Sequence, residues 1–142
     1  MSAQTIKVLI AGALLLHGLG HAGAVGALIA NALGYPTGSW PTARSWLFPS
    51  LAAPAARTVA SIFWVLSAIG FVAASMSFWG ILVPGDAWRQ LALASSIVSI
   101  LGIALFFRPW PTFNTLAALG MNIVVLVTQL WLHWPPQAMF GK

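Results

Sequence analysis

Leu14-Leu15-Leu16-His17-Gly18-Leu19-Gly20-His21-Ala22-Gly23-Ala24-Val25-Gly26 is the stretch on which the fold turns. It lies in a run greasy enough to cross a bilayer, yet it holds two of the chain's three histidines, four residues apart and so on one helical face. An imidazole turned towards lipid tails finds no hydrogen-bond partner, so both rings are expected to face other helices or a protein cavity. The rest of the chain then supplies what packs around that face.

Composition agrees with this reading. Apolar residues make up 60% of the chain and charged residues 5%, against about 25% charged in a soluble globular domain. So few charges cannot cover the surface of a soluble fold, and the chain is assigned to a membrane. Its 142 residues suit a single domain, 1–142. The net charge of +5 comes from scattered residues that flank hydrophobic runs: Lys7, Arg44, Arg57, Arg89, Arg108 and Lys142. Without a basic patch there is no nucleic-acid footprint, and these residues read as membrane anchors. Asp86 is the one acid, and the absence of Cys excludes disulfides, thiolate metal sites and a cysteine nucleophile.

Four hydrophobic runs meet the roughly 20-residue requirement for a spanning helix: about Thr5–Ala30, Arg57–Leu82, Trp88–Phe107 and Thr112–Trp134. Lys7 followed by Val8–Leu16 and small residues also fits a signal peptide, but we read it as the first span. The expected fold is an all-α, four-helix integral membrane bundle in the cell membrane, multi-pass, with both termini on the same side. Val83-Pro84-Gly85-Asp86 is a turn in which Asp86 is expected to cap the third helix. Arg108-Pro109-Trp110-Pro111-Thr112 is another, with Thr112 expected to cap the fourth. Short links make spans two, three and four antiparallel neighbours.

Tryptophans divide between the two faces. Trp79, Trp88, Trp131 and Trp134 fall at the face of the termini, Trp40, Trp46 and Trp110 at the other, as a double aromatic belt requires. Trp64, two turns inside span two, is expected to pack against a neighbour. Cationic residues split three against three between the faces, so the positive-inside rule assigns no orientation. The long connection, 31–56, contains Pro36, Pro41, Pro49 and Pro54, which forbid a long helix, together with Trp46, Leu47 and Phe48. It is expected to lie along the interface, as a pinned linker or as a lid over a cavity.

Counting about 1.5 Å per residue along antiparallel spans puts His17 and Asn122 at similar depth, near mid-membrane. Thr115, Ala118, Asn122, Val125 and Gln129 share a helical stripe, so span four is expected to face span one and to answer its histidines with amides. Gly20 and Ala24 make a small-residue step beside them for close helix approach, Ser95, Ser99 and Gly102 form a comparable stripe on span three, and Ser67 and Ser75 are expected to turn inward. The candidate ligand-binding residues are therefore His17, His21, Asn122 and Gln129. Two histidines without carboxylate or thiolate cannot close a zinc site, which leaves a metal held by His17 and His21 as a weak option. His133 lies at the wrong depth to pair with them around a haem and reads as an interfacial helix end. No catalytic nucleophile, base and acid can be assembled, since Asp86 sits in a surface turn.

At these residues the chain resembles a large set of uncharacterised small bacterial membrane proteins with four predicted spans. The likeness rests on His17-Gly18-Leu19-Gly20-His21, on Phe63-Trp64-Val65-Leu66, and on Phe113-Asn114-Thr115 with Asn122. Its architecture is also similar to that of DoxX-type four-helix membrane proteins, by analogy of fold alone. The resemblance implies a four-span fold and no activity. From the residues themselves two functions are expected. The first is a non-catalytic accessory or assembly subunit of a membrane complex, or a homo-oligomer. The alternative is a binding protein for a small apolar or redox-active molecule, such as a quinone, lipid or haem; a channel would need a longer polar path.

Overall fold

A computed structural model describes residues 1–36, 44–106 and 111–136. Within them the chain is helical, with no strand, and forms α1 (Ala3–Ala32), α2 (Ala53–Ser77), α3 (Trp88–Leu105) and α4 (Thr112–Leu126), the last continuing into a π-helical turn over Val127–Trp131. Each of the four is long and apolar enough to cross a bilayer. Trp40, Arg108, Pro109, Trp110 and Lys142, to which the sequence assigned places at the faces and in a turn, lie outside the described residues.

The helices run alternately up and down, and small residues set how closely they approach. A Cβ on Gly18 of α1 would stand 2.9 Å from Val72 Cγ2 and 3.1 Å from the Ala68 carbonyl of α2. A Cβ on Gly102 of α3 would stand 2.8 Å from Phe63 Cβ of α2. Ser75 ties α2 to α1 by donating to the Ala11 carbonyl at 2.8 Å. The close step on α1 is therefore Gly18, not the expected Gly20, whose Cβ position has nothing within 4 Å. Gly18 and Gly20 lie about 200° apart around a helix, so only one can meet α2.

Two apolar clusters hold the ends. Ala11, Leu14, Phe71, Phe78, Trp88 and Val125 pack towards the termini, and Ala24, Leu28, Ala60, Trp64, Ile103 and Phe106 towards the other end. Between them lie buried His21, Ser67, Ser96, Ser99 and Asn122.

Several helix ends depart from expectation. α2 stops at Ser77, not near Leu82, because Gly80 takes φ +63° and the Ile81 N–H returns to the Met76 carbonyl at 3.2 Å. That is a glycine stop of the Schellman kind, which hydropathy does not register. α3 begins behind Ala87 with no side-chain cap, so Asp86 does not cap it. α4 begins behind Pro111, also uncapped by a side chain, and Thr112 is simply its first residue. The unexpected cap is Ser2, whose hydroxyl accepts from the Thr5 N–H at 3.1 Å at the start of α1.

The long connection is shorter than 31–56, because Pro54 sits in the first turn of α2, where its missing N–H costs nothing. Its described end is pinned to the last turn of α3. Ser45 Oγ donates to the Leu105 carbonyl at 2.8 Å, the Trp46 indole donates to the Ala104 carbonyl, and the Phe48 N–H donates back to Ser45 Oγ at 3.1 Å. Carbonyls at a helix end have no partner within the helix, and the connection supplies one. Trp46, Leu47 and Phe48 point outward.

Candidate functional site

His17 and His21 project from one face of α1, their ring centroids 4.9 Å apart and the rings edge to face. Aromatic side chains of α2 fix both: Phe71 meets His17 edge-on at 4.4 Å, and Trp64 stacks on His21 at 5.5 Å. Trp64 is buried against this neighbour.

The Nε2 atoms of the two rings are joined through the interior by a chain of hydrogen bonds. His17 Nε2 lies 2.9 Å from Asn122 Oδ1, Asn122 Nδ2 donates to Ser99 Oγ at 2.7 Å, and Ser99 Oγ lies 3.0 Å from His21 Nε2. Asn122 and Ser99 are fully buried. An amide oxygen only accepts, so His17 carries its proton on Nε2. Ser99 accepts from the amide and has its own proton to give, so His21 Nε2 receives it and His21 carries its proton on Nδ1. Turning the amide end for end reverses every bond and exchanges the two tautomers. In either polarity one ring keeps a protonated Nδ1 and the other a bare one. Among the described residues neither Nδ1 has a hydrogen-bond partner within the protein.

Both rings line a cavity of about 230 Å³ between α1 and the first turns of α4. Its walls include Gly20, Trp64, Ile103, Thr115 and Ala118, and at its mouth stand Leu16 and Phe113, which are 70% and 81% exposed. The opening is thus on the side of the bundle. None of the described residues of the long connection lines it, so the lid expected there has no described counterpart.

The sequence placed His17 and Asn122 correctly at one level, and the structure joins them directly. It does not bring Gln129 to them. Gln129 lies two turns further along α4, about 10 Å, where its carbonyl accepts from Arg89 Nε at 3.0 Å and its amide donates to the Trp134 carbonyl at 2.7 Å. The link that sequence reasoning missed is Ser99, noted only as one of several small residues on span three. Its signal was present, since it stands four residues from Ser95 and three from Gly102, about one turn from each on the packed face, at a depth matching Asn122.

Chemically the site offers two imidazoles, one amide and one hydroxyl. No cluster of three or more His, Cys, Asp or Glu side chains occurs among the described residues, so a metal here would take at most two such ligands from them. Both Nε2 atoms are committed to the network, and the rings lie side by side on one helix, so they cannot clasp a haem iron from opposite faces. The arrangement suits hydrogen bonding to a neutral guest. Comparison with protein-family models, with curated proteins and with solved structures returns no match for this chain.

Proposed function

We propose that this chain is a multi-pass membrane protein that takes a small, largely apolar molecule from the lipid phase and binds its polar head at His17 and His21. Four helices of spanning length and composition support the bilayer placement. So does the outward display of Ile69, Leu116, Val124 and Trp131, more apolar surface than a soluble monomer tolerates.

The observation that carries the binding reading is the side-opening cavity of about 230 Å³ onto which both rings face. An apolar cavity of about 150 Å³ holds benzene, so this one accommodates a single substituted ring or an equivalent head. The opposite tautomers narrow the class further: one Nδ1 donates, the other accepts. A guest bearing a carbonyl beside a hydroxyl, as in a hydroxylated quinone or a lipid with a hydroxyl, satisfies both. A haem is disfavoured by the engaged Nε2 atoms.

The test is titration of the protein in nanodiscs with a short-tailed hydroxyquinone, read by calorimetry. One saturable site is expected. Gly20→Leu fills the cavity without touching the network and should abolish binding, and His17→Phe should weaken it. Unchanged binding by Gly20→Leu removes the reading.

A second reading, the assembly subunit or homo-oligomer, draws on Gly12, Gly23 and Gly26. They share the opposite face of α1, and among the described residues no atom beyond the helix's own backbone lies within 4 Å of their Cβ positions. Such a face lets another helix approach closely. A protein that stays monomeric in nanodiscs and co-purifies with nothing withdraws that support.

A further inference from the structure

We propose that the end of the molecule carrying Lys7 and Arg89 holds one anionic phospholipid, its phosphate on Arg89 and an acyl chain in the groove between α1 and α4. This goes beyond the histidine cavity and shares with it only the bilayer placement.

Arg89 is half-buried in the first turn of α3, and its partners among the described residues are all neutral. Its Nε donates to Gln129 Oε1 at 3.0 Å, its Nη2 donates to the Pro135 carbonyl at 3.0 Å, and its guanidinium carbon lies 5.6 Å from the centre of the Trp88 ring. Gln129 is itself held, donating to the Trp134 carbonyl at 2.7 Å and to Thr128 Oγ1 at 3.3 Å, so its carbonyl stays aimed at the guanidinium. A guanidinium has five N–H donors, and these bonds use two. The remaining three belong to a fixed fork suited to a phosphate.

Among the described residues no opposite charge answers this cation. The first turn of α3 contains no acidic residue, and a cation there opposes the helix dipole. Asp86, the chain's one acidic side chain, is exposed and makes no ion pair with Arg89. Lys7 adds positive charge at the same end, its ammonium 5.0 Å from the centre of the Trp79 ring.

The same residues that hold Arg89 open a groove. Trp88, Gln129 and Pro135 line one end of a cavity of about 250 Å³ that continues along Ile10, Met121 and Val124. Its length from Gln129 to Met121 is about 12 Å, most of a leaflet about 15 Å deep. A free phosphate would use the guanidinium and leave this apolar trough empty; a phospholipid uses both.

The experiment is native mass spectrometry of the detergent-solubilised full chain given equal phosphatidylglycerol and phosphatidylcholine of identical acyl chains. The wild type should retain one phosphatidylglycerol with a preference of roughly fivefold or more, diminishing as salt rises. Arg89→Gln should bring the preference close to unity. Ala13→Phe, which fills the groove and leaves Arg89 in place, should lower retention of both lipids. Arg57→Gln, at the opposite end, and His17→Phe should leave the preference intact, which separates failure here from failure of the histidine cavity. Equal retention of both lipids by the wild type overturns the proposal, whether or not any variant folds. So does an Arg57→Gln effect as large as that of Arg89→Gln, or inorganic phosphate giving the same occupancy with Ala13→Phe without effect.

Discussion

Replacing Asn122 by Leu removes the centre of the hydrogen-bond chain while keeping the same branched heavy-atom skeleton, so the loss of polar contacts is not compounded by a void. Two bonds disappear, to His17 Nε2 at 2.9 Å and to Ser99 Oγ at 2.7 Å. Between membrane helices such bonds average about 0.6 kcal/mol and reach about 1.7, which gives about 1–3 kcal/mol for the pair. His17 is then left with an unanswered nitrogen in either tautomer, at a cost of about 1–3 kcal/mol. Both figures are upper-weighted, because the unfolded chain in a bilayer also finds partners, so the net expectation is about 2–4 kcal/mol. Were Asn122 only filling space, Leu would be neutral or stabilising. The assay is reversible unfolding in mixed micelles with increasing dodecyl sulfate, followed by tryptophan fluorescence, on Asn122→Leu, His17→Phe and the double variant. The coupling between the two sites should be about 0.6–1.7 kcal/mol. Stability of Asn122→Leu equal to that of the wild type, or additivity within about 0.3 kcal/mol, would refute the network.

Gly18→Ala should destabilise by about 1–3 kcal/mol in the same assay, since the new methyl meets the Val72 and Ala68 backbone at 3.1 Å. Gly23→Ala, with nothing within 4 Å, should instead gain up to about 1 kcal/mol from helix propensity; equal effects at the two positions would contradict the packing of α1 on α2. Gly80→Ala places a side chain at φ +63° and should lose about 1–2 kcal/mol, visible as a lower melting temperature by circular dichroism. Ser45→Ala strips the Leu105 carbonyl and the Phe48 N–H of a partner and should cost about 1 kcal/mol, with faster proteolysis of the connection as the local readout.

Hydropathy alone located all four helices, because the signal is a long run of apolar residues and needs no periodicity. It misplaced the end of α2 because Phe78, Trp79, Ile81 and Leu82 are as apolar as the helix before them, and only the left-handed Gly80 marks the stop. Depth counting paired His17 with Asn122, since antiparallel helices of known rise leave one level at which they meet. The same reasoning misassigned Gln129: sharing a stripe with Asn122 fixes its azimuth on α4 but not the partner at its own depth, which is Arg89. The π-helical turn at Val127–Trp131 has no mark in the sequence that we identify. Around it Thr128 Oγ1 donates back to the Val124 carbonyl at 2.8 Å, and the Trp134 N–H reaches the Thr128 carbonyl at 2.8 Å.

The seating of Ser45 and Trp46 on the last turn of α3 bears on the order in which the molecule is made. The bonds span 60 and 58 residues of chain, so at about 5–20 residues per second the ribosome delivers their acceptors several seconds after their donors. Until then the first hairpin waits with its crossing segment undocked, and the arrival of the third helix fastens it. A nascent chain halted before Ala104 should therefore leave that segment open to protease, and one extended through α4 should not.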